Sequence, residues 1–309
     1  MQSLRHLHTE QSDPQYANLD ISGTTDILIM MNEADRAVPV AVAQVLPSVA
    51  QAVEVIVRAL KQGGRLIYIG AGSSGRLGVL DAAECPPTFS TPPEQVQGLI
   101  AGGPESMFRA VEDAEDNFAS AQADLQAIQL TERDVVVGIT ASGRTPYVMG
   151  GLTYAGQLGS ATVSLSCNLN AEASRLTDVA IEVDTGPEVL MGSTRLKAGT
   201  AEKQIVNMLS TATMVRLGKV YHNLMVDLKV TNEKLAERAK RMVMQAADID
   251  YVFAERMLQE ADGHVKTAIV MARKGVDKGT AGQLLAEADG FLRSVLRELD
   301  ALESFPSGS

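Results

Sequence analysis

The stretch IYIGAGSSGRLG, Ile67 to Gly78, decides how the chain is read. Glycines 70, 72 and 75 spell G-x-G-x-x-G directly after the apolar run Leu66 to Ile69. A strand, a tight glycine turn and a helix in that order outline a dinucleotide-binding unit. That reading requires a carboxylate about 20 residues further on, at the end of the second strand, to hold the ribose hydroxyls. The second strand here is VQGLIAGG, 96–103, which ends Ala101-Gly102-Gly103 with no carboxylate before Glu105. The dinucleotide reading therefore loses most of its support. What remains is an anion site: backbone N–H groups and the dipole at a helix N-terminus. Ser73 and Ser74 add hydroxyl donors, or serve simply as helix caps.

Working outward, the same arrangement recurs. VVVGIT, 135–140, is followed by Ala141-Ser142-Gly143-Arg144-Thr145-Pro146. Pro146 suits a first helical position and Thr145 its cap. A third hydroxyl-rich stretch, GSTRLKAGT at 192–200, opens another helix. Hydroxyls repeated at strand ends suit a phosphate monoester, whose outer oxygens take many donors. Short continuous apolar runs at Leu66–Ile69, Val96–Ala101, Val135–Thr140, Ala161–Ser166 and Val179–Val183 predict strands buried on both faces. Val49, Val53, Ile56 and Leu60 share one helical face before the first of them. The alternation predicts an α/β fold, a doubly wound, mostly parallel five-stranded sheet flanked by helices, with the two loops converging on one crevice. After Thr194 only helices are expected. LQEADGHVKTAI (258–269) and LAEADGFLRSVL (285–296) form a weak repeat with Asp-Gly turns. The expected division is an N-terminal segment 1–25, the α/β domain 26–239 and a small all-helical C-terminal domain 240–303, with 305–309 frayed.

Composition narrows the function classes. The chain has 309 residues, 45% hydrophobic and 21% charged, which is globular. A net charge of −11 argues against nucleic acid and anionic membranes as partners. Pro39, Gln44, Pro47 and Gln51 interrupt the richest apolar region, 37–60, which reads as a packed helix with no 18-residue apolar span. The polar start, MQSLRHLHTEQSDPQYANLD, lacks a signal-peptide core, and Cys85 and Cys167 show no metal or disulfide pattern. A cytoplasmic enzyme is expected.

GAGSSGRLG, the S-G-R-T loop and the strand order resemble the sugar isomerase (SIS) phosphosugar-binding domain. GAGSSGRLGVLDAAECPPTFSTPP (70–93), RAVEDAEDN (109–117), GITASGRTPYV (138–148), SCNLNA (166–171) and GPEVLMGSTRLKAGTAEKQIVNMLST (186–211) are more specifically similar to the N-acetylmuramic acid 6-phosphate etherases. The resemblance runs from about Asp26 into the C-terminal repeats. Near the start Thr9-Glu10 fits, whereas Gln11-Ser-Asp-Pro departs from the family's pattern.

The resemblance implies cleavage of the D-lactyl ether at C3 of N-acetylmuramic acid 6-phosphate, without metal or cofactor, in the recycling of cell-wall amino sugars. It implies Glu84 and Glu115 as the catalytic carboxylates; Glu84 is expected to protonate the departing lactate and then activate water, and Glu115 to handle the C2 proton or support its removal. The phosphosugar contacts it implies are Ser73, Ser74, Gly75, Ser142, Gly143, Thr145, Glu188, Ser193 and Lys234. Read without the family, Glu84 is a solvated helix end, Glu115 a solvated acidic helix start, Glu188 and Lys197 an ion pair or helix-end charge, and Lys234 a solvated helix face. His222 and His264 lack metal partners in the sequence pattern. A straight helix puts Glu84 about 15 Å from Ser74, while C2 and C3 of an open-chain sugar lie about 5–7 Å from the phosphorus. Either that helix breaks early or Glu84 serves a second subunit, so a homodimer with sites near the interface is expected. Competing readings are an aldose–ketose sugar-phosphate isomerase and a non-catalytic phosphosugar sensor on the same scaffold.

Overall fold

In the computed structural model, residues 7–228 and 233–296 are described. The expected frayed end, 305–309, lies outside them. Five strands form one parallel sheet: β1 Leu66–Gly70, β2 Val96–Ile100, β3 Val135–Thr140, β4 Ala161–Ser166 and β5 Val179–Glu182. Their order is β2-β1-β3-β4-β5. The chain therefore steps outward from β1 to β2, then returns past β1 to β3. That reversal opens a crevice beyond the carboxyl ends of β1 and β3, where ligands bind in such sheets. Every residue of β1 and β3 is buried, as continuous apolar runs require.

Eleven α-helices are seen among the described residues. Those around the sheet are α1 Thr24–Asp35, α2 Ala37–Lys61, α3 Gly72–Phe89, α4 Phe118–Ala127, α5 Pro146–Leu158 and α6 Lys197–Arg216. Alternation along β1 sends Ile67 and Ile69 one way and Tyr68 the other. Ile67, Ile69 and Val136 pack with Leu125 of α4 and Val148 and Leu152 of α5. On the Tyr68 side, its hydroxyl donates to Asp81 of α3 (3.0 Å) and to the Val206 carbonyl of α6 (3.4 Å). Asp81 also accepts from Asn207 (2.7 Å) and Ser210 (3.0 Å), so one buried carboxylate ties α3, β1 and α6 together. At the opposite end of the strands, Arg65 donates to the buried Asp134 through its backbone N–H and guanidinium, both at 2.8 Å, and fixes the start of β1 against β3.

Helix α2 runs through Pro39 and Pro47 and buries Val38, Val42, Val49, Val53, Ile56 and Leu60. Thr24–Lys61 is nevertheless long and apolar enough to cross a membrane by length and composition, correcting the expectation that no such span exists. The prolines and glutamines do not interrupt it, because none carries charge and the helix passes through both prolines. A third of its most apolar window is buried.

The described residues fall into two compact units. One comprises 7–83 with Pro93–Thr211; the other comprises Glu84–Pro92 with 212–228 and 233–296. The second unit thus begins before 240, the boundary expected from the helical repeat, and it includes a short piece of α3. Its helices are α7 Glu233–Ala247, α8 Tyr251–Glu260, α9 Val265–Lys274, α10 Lys278–Glu287 and α11 Leu292–Leu296. Met242, Val243, Leu258, Ile269 and Leu292 lie in its core. Each copy of the sequence repeat is helix, left-handed Asp-Gly turn, helix. Asp262 and Gly263 have φ of 51° and 80°, and Asp289 and Gly290 have 49° and 79°.

Candidate active site

The first loop's glycines answer to packing. A Cβ on Gly75 would lie 2.6 Å from the Gly70 carbonyl oxygen and 2.7 Å from Ile100 Cγ1; one on Gly70 would lie 2.7 Å from the Gly75 nitrogen. Helix α3 therefore starts against the end of β1 at a distance only glycine permits. Gly72, by contrast, has open space around it but a φ of +52°. Ser73 is half-buried in the first turn of α3. Ser74 is buried, and its Oγ donates to Glu202 Oε1 of α6 at 2.8 Å. Its hydroxyl is thus engaged by a carboxylate 128 residues away rather than capping its own helix. Glu202 is 1% exposed, and burial pushes its pKa up to about 8 against the lowering effect of the Ser74 bond.

Beside this loop lies a cavity of about 250 Å³ lined by Gly72, Arg76, Ser106, Arg109 and Glu115. Arg76 Nε donates to the carbonyls of Ser106 (3.0 Å) and Met107 (3.2 Å), holding the turn after β2. Glu115 is exposed in a 3-10 turn, Ala114–Asp116, that follows the left-handed Asp113. It does not open a helix: α4 begins at Phe118 and is capped by Asn117, which accepts from the Ala119 and Ser120 N–H groups.

The second loop is built from its own hydroxyls. Thr140 Oγ1 and Thr145 Oγ1 are 2.8 Å apart, and Ser142 Oγ is 3.4 Å from Thr140 Oγ1. Gly143 N–H donates to Thr140 Oγ1 (3.2 Å). Thr145 occupies the cap position of α5 with Pro146 after it, but its side chain makes no cap hydrogen bond; the bond to Thr140 takes its place. Gly143 has φ +73°, and a Cβ there would meet Ala171 Cβ at 2.4 Å. Ser142 and Arg144 line a cavity of about 330 Å³ with His8, Asn168, Asn170 and Glu172. Asn168 ties this cavity's wall to the buried Thr9, a pairing not singled out from the sequence. Asn168 Nδ2 donates to Thr9 Oγ1 and to the Ala141 carbonyl, both at 2.9 Å. His8 Nδ1 lies 2.9 Å from Asp184.

Between β5 and α6, Glu188 is buried and accepts from the Lys197 and Ala198 N–H groups at 2.9 and 3.0 Å. It is a helix-end charge. Burial raises its pKa, and those two N–H bonds and the Lys197 charge pull it down. Ser193 is half-buried in the turn that opens α6, its N–H donating to the Leu190 carbonyl at 3.0 Å.

The β1 and β3 loops thus place Ser73, Ser74, Gly75, Ser142, Gly143 and Thr145 at the carboxyl ends of neighbouring strands, with Glu115 lining the first loop's cavity. Glu84 is exposed on α3, which continues unbroken to Phe89, so the alternative of an early break is removed. Lys234 is exposed in the first turn of α7, while residues 231 and 232 of its motif lie outside the described residues. Glu84 and Lys234 belong to the second unit. Among the described residues no cluster of His, Cys, Asp or Glu has the grouping to hold a metal ion.

Comparison with known proteins agrees with this fold. The family model of the glucokinase regulatory protein N-terminal SIS domain matches residues 48–156. A phosphoheptose isomerase from Francisella tularensis superposes with a TM-score of 0.51 at 17% identity, covering 63% of this chain and 100% of that one, which shows a shared fold. The N-acetylmuramic acid 6-phosphate etherase of Halalkalibacterium halodurans is 56% identical over 297 residues, 96% of this chain and 100% of its own length. That of Geobacillus sp. WCH70 is 54% identical over 95% of this chain and 100% of its own length. At that identity over nearly the whole length, the chain belongs to the N-acetylmuramic acid 6-phosphate etherase family.

Proposed function

We propose that this protein cleaves the D-lactyl ether of N-acetylmuramic acid 6-phosphate, giving N-acetylglucosamine 6-phosphate and D-lactate. The observation that carries the reading is full-length identity above one half to the etherases. The phosphate is received where two hydroxyl-bearing loops end neighbouring strands. In the open-chain sugar the C2 proton is α to the C1 aldehyde and therefore acidic enough for a carboxylate base. Lactate at C3 is β to the resulting carbanion and leaves once its ether oxygen is protonated. Water then adds at C3. Glu115 takes the C2 proton; Glu84 protonates departing lactate and then activates the water.

Helix α3 carries Glu84 ten residues beyond Ser74 without a break. An unbroken helix of that length supports a homodimer in which Glu84 serves the partner's site. Ile21, Leu28, Ile29, Val40 and Leu46 are large apolar residues exposed on and before α1 and α2, a surface suited to a second copy. Cys85 and Cys167 are buried and not joined in a disulfide, which suits the cytoplasm.

The decisive assay incubates the protein with N-acetylmuramic acid 6-phosphate and measures D-lactate. Isomerisation without lactate release would instead favour an aldose–ketose isomerase. In deuterated water, Glu84→Gln is expected to lose lactate release yet keep exchange at C2, and Glu115→Gln to lose both. Equal loss of both by Glu84→Gln overturns the division of roles. Full activity from a monomer in dilute solution overturns the shared site.

A further inference from the structure

Glu202 is a buried carboxylate for which the proposed chemistry has no task. It sits on α6, 1% exposed, with Ser74 Oγ at 2.8 Å from its Oε1. Ser74 stands in the first turn of α3, among the residues proposed to receive the phosphate. Around α6, Asp81, Cys167 and Glu188 have partners of their own. Asp81 of α3 is held by Tyr68, Asn207 and Ser210. The Cys167 thiol, after β4, donates to the Ala198 carbonyl. Glu188 takes the N–H groups that open the helix, with the buried Lys197 in that same first turn. Burial and the Ser74 hydroxyl are what act on Glu202, and burial dominates, pushing its titration up to about 8.

A serine hydroxyl has one proton to give. Facing a carboxylate, Ser74 gives that proton to Glu202 and offers only lone pairs to anything else. Facing a carboxylic acid, it accepts from the Glu202 O–H and its own proton is free for a phosphate oxygen. We propose that Glu202 is a positioning residue for the phosphosugar: as the neutral acid it turns the Ser74 proton toward the phosphate, so that the ligand binds the protonated form. This rests on the phosphosugar reading above.

The test is the dissociation constant of N-acetylglucosamine 6-phosphate, by titration calorimetry, from pH 7 to 9.5. The monoester's second ionisation is near 6, so the ligand is a dianion throughout. Wild-type affinity is expected to hold to about pH 8 and then fall, approaching tenfold per pH unit, as binding must draw one proton from solution. Glu202→Gln, whose amide donates to Ser74 at every pH, is expected to show no such fall. Ser74→Ala is expected to bind tenfold or more weakly at pH 7, a hydrogen bond to a charged group being lost, and to lose the alkaline fall as well. A purely structural role for Glu202 would weaken binding equally at all pH and leave the fall in place. The proposal is overturned if wild-type affinity is flat, or if either variant keeps the wild-type fall. Binding by wild type at no pH overturns the phosphosugar reading with it, and that outcome is distinct from binding with an unaltered pH profile.

Discussion

The loop after β1 and the loop after β3 have similar sequences and different physics. In the second the side-chain hydroxyls satisfy one another: Thr140, Ser142 and Thr145 are linked within six residues, and Gly143 folds the turn back on Thr140. The first is completed from outside. Its Ser74 is bonded by Glu202, and its Gly75 is pressed between Gly70 and Ile100. A neutral, local network gives a loop whose shape is indifferent to pH. A buried ionisable partner makes the other loop's hydrogen-bond polarity depend on it. Two loops that look interchangeable thus divide the work, one fixed and one adjustable.

The largest effect expected from breaking this contrast is at Gly75. Gly75→Ala puts a methyl 2.6 Å from a strand carbonyl, where neither backbone yields cheaply. The expected cost is about 3 kcal/mol or more, at or beyond the usual range for overpacking. Gly72→Ala strains only a left-handed φ in open space and is expected to cost about 1–2 kcal/mol. Urea unfolding of the two variants side by side measures both. Equal losses would mean that the close approach of α3 to β1 is not what the third glycine serves.

The fold was legible because each strand is a short apolar run bounded by turn residues. Pro146 and the two Asp-Gly pairs marked helix ends through local backbone chemistry. The site was legible only where its parts are local. Ser142, Gly143 and Thr145 sit in one pentapeptide, but Thr145 was expected to cap α5, and its hydroxyl reaches back to Thr140 instead. No spacing rule joins Ser74 to Glu202, 128 residues apart, or Thr9 to Asn168, because those contacts exist only once α6 and the N-terminal segment have packed. The sequence around Glu202, GTAEKQ, reads as an ordinary helix face; burial, which no local pattern reports, is what makes it chemically unusual.

Burial of Glu202 also makes stability depend on pH. An unfolded glutamate titrates near 4.3, whereas Glu202 in the folded protein titrates near 8. Between those values the folded state holds more protons than the unfolded one, so this group's contribution to stability is present at low pH and is lost as pH rises through the folded value. The loss is on the order of a few kcal/mol. Glu202→Gln has no such slope. It is expected to be more stable than wild type above pH 8, relative to the difference between the two at pH 5. Parallel thermal melting curves across that range, the two proteins losing stability together, would show that Glu202 is charged and well solvated.

The smallest effect is expected in the other loop. Thr145→Val keeps the side chain's shape and removes the 2.8 Å bond to Thr140 Oγ1. Thr140 retains the Gly143 N–H, so its oxygen is not left unsatisfied. The net loss is therefore expected at about 1 kcal/mol, the ordinary worth of a neutral hydrogen bond. Because no member of this network ionises below pH 9, the loss should be the same at pH 6 and pH 9. Denaturant midpoints at the two pH values check this directly. A pH-dependent cost at Thr145 would mean that the second loop, like the first, answers to a titrating group, and that its hydroxyls are not a closed set.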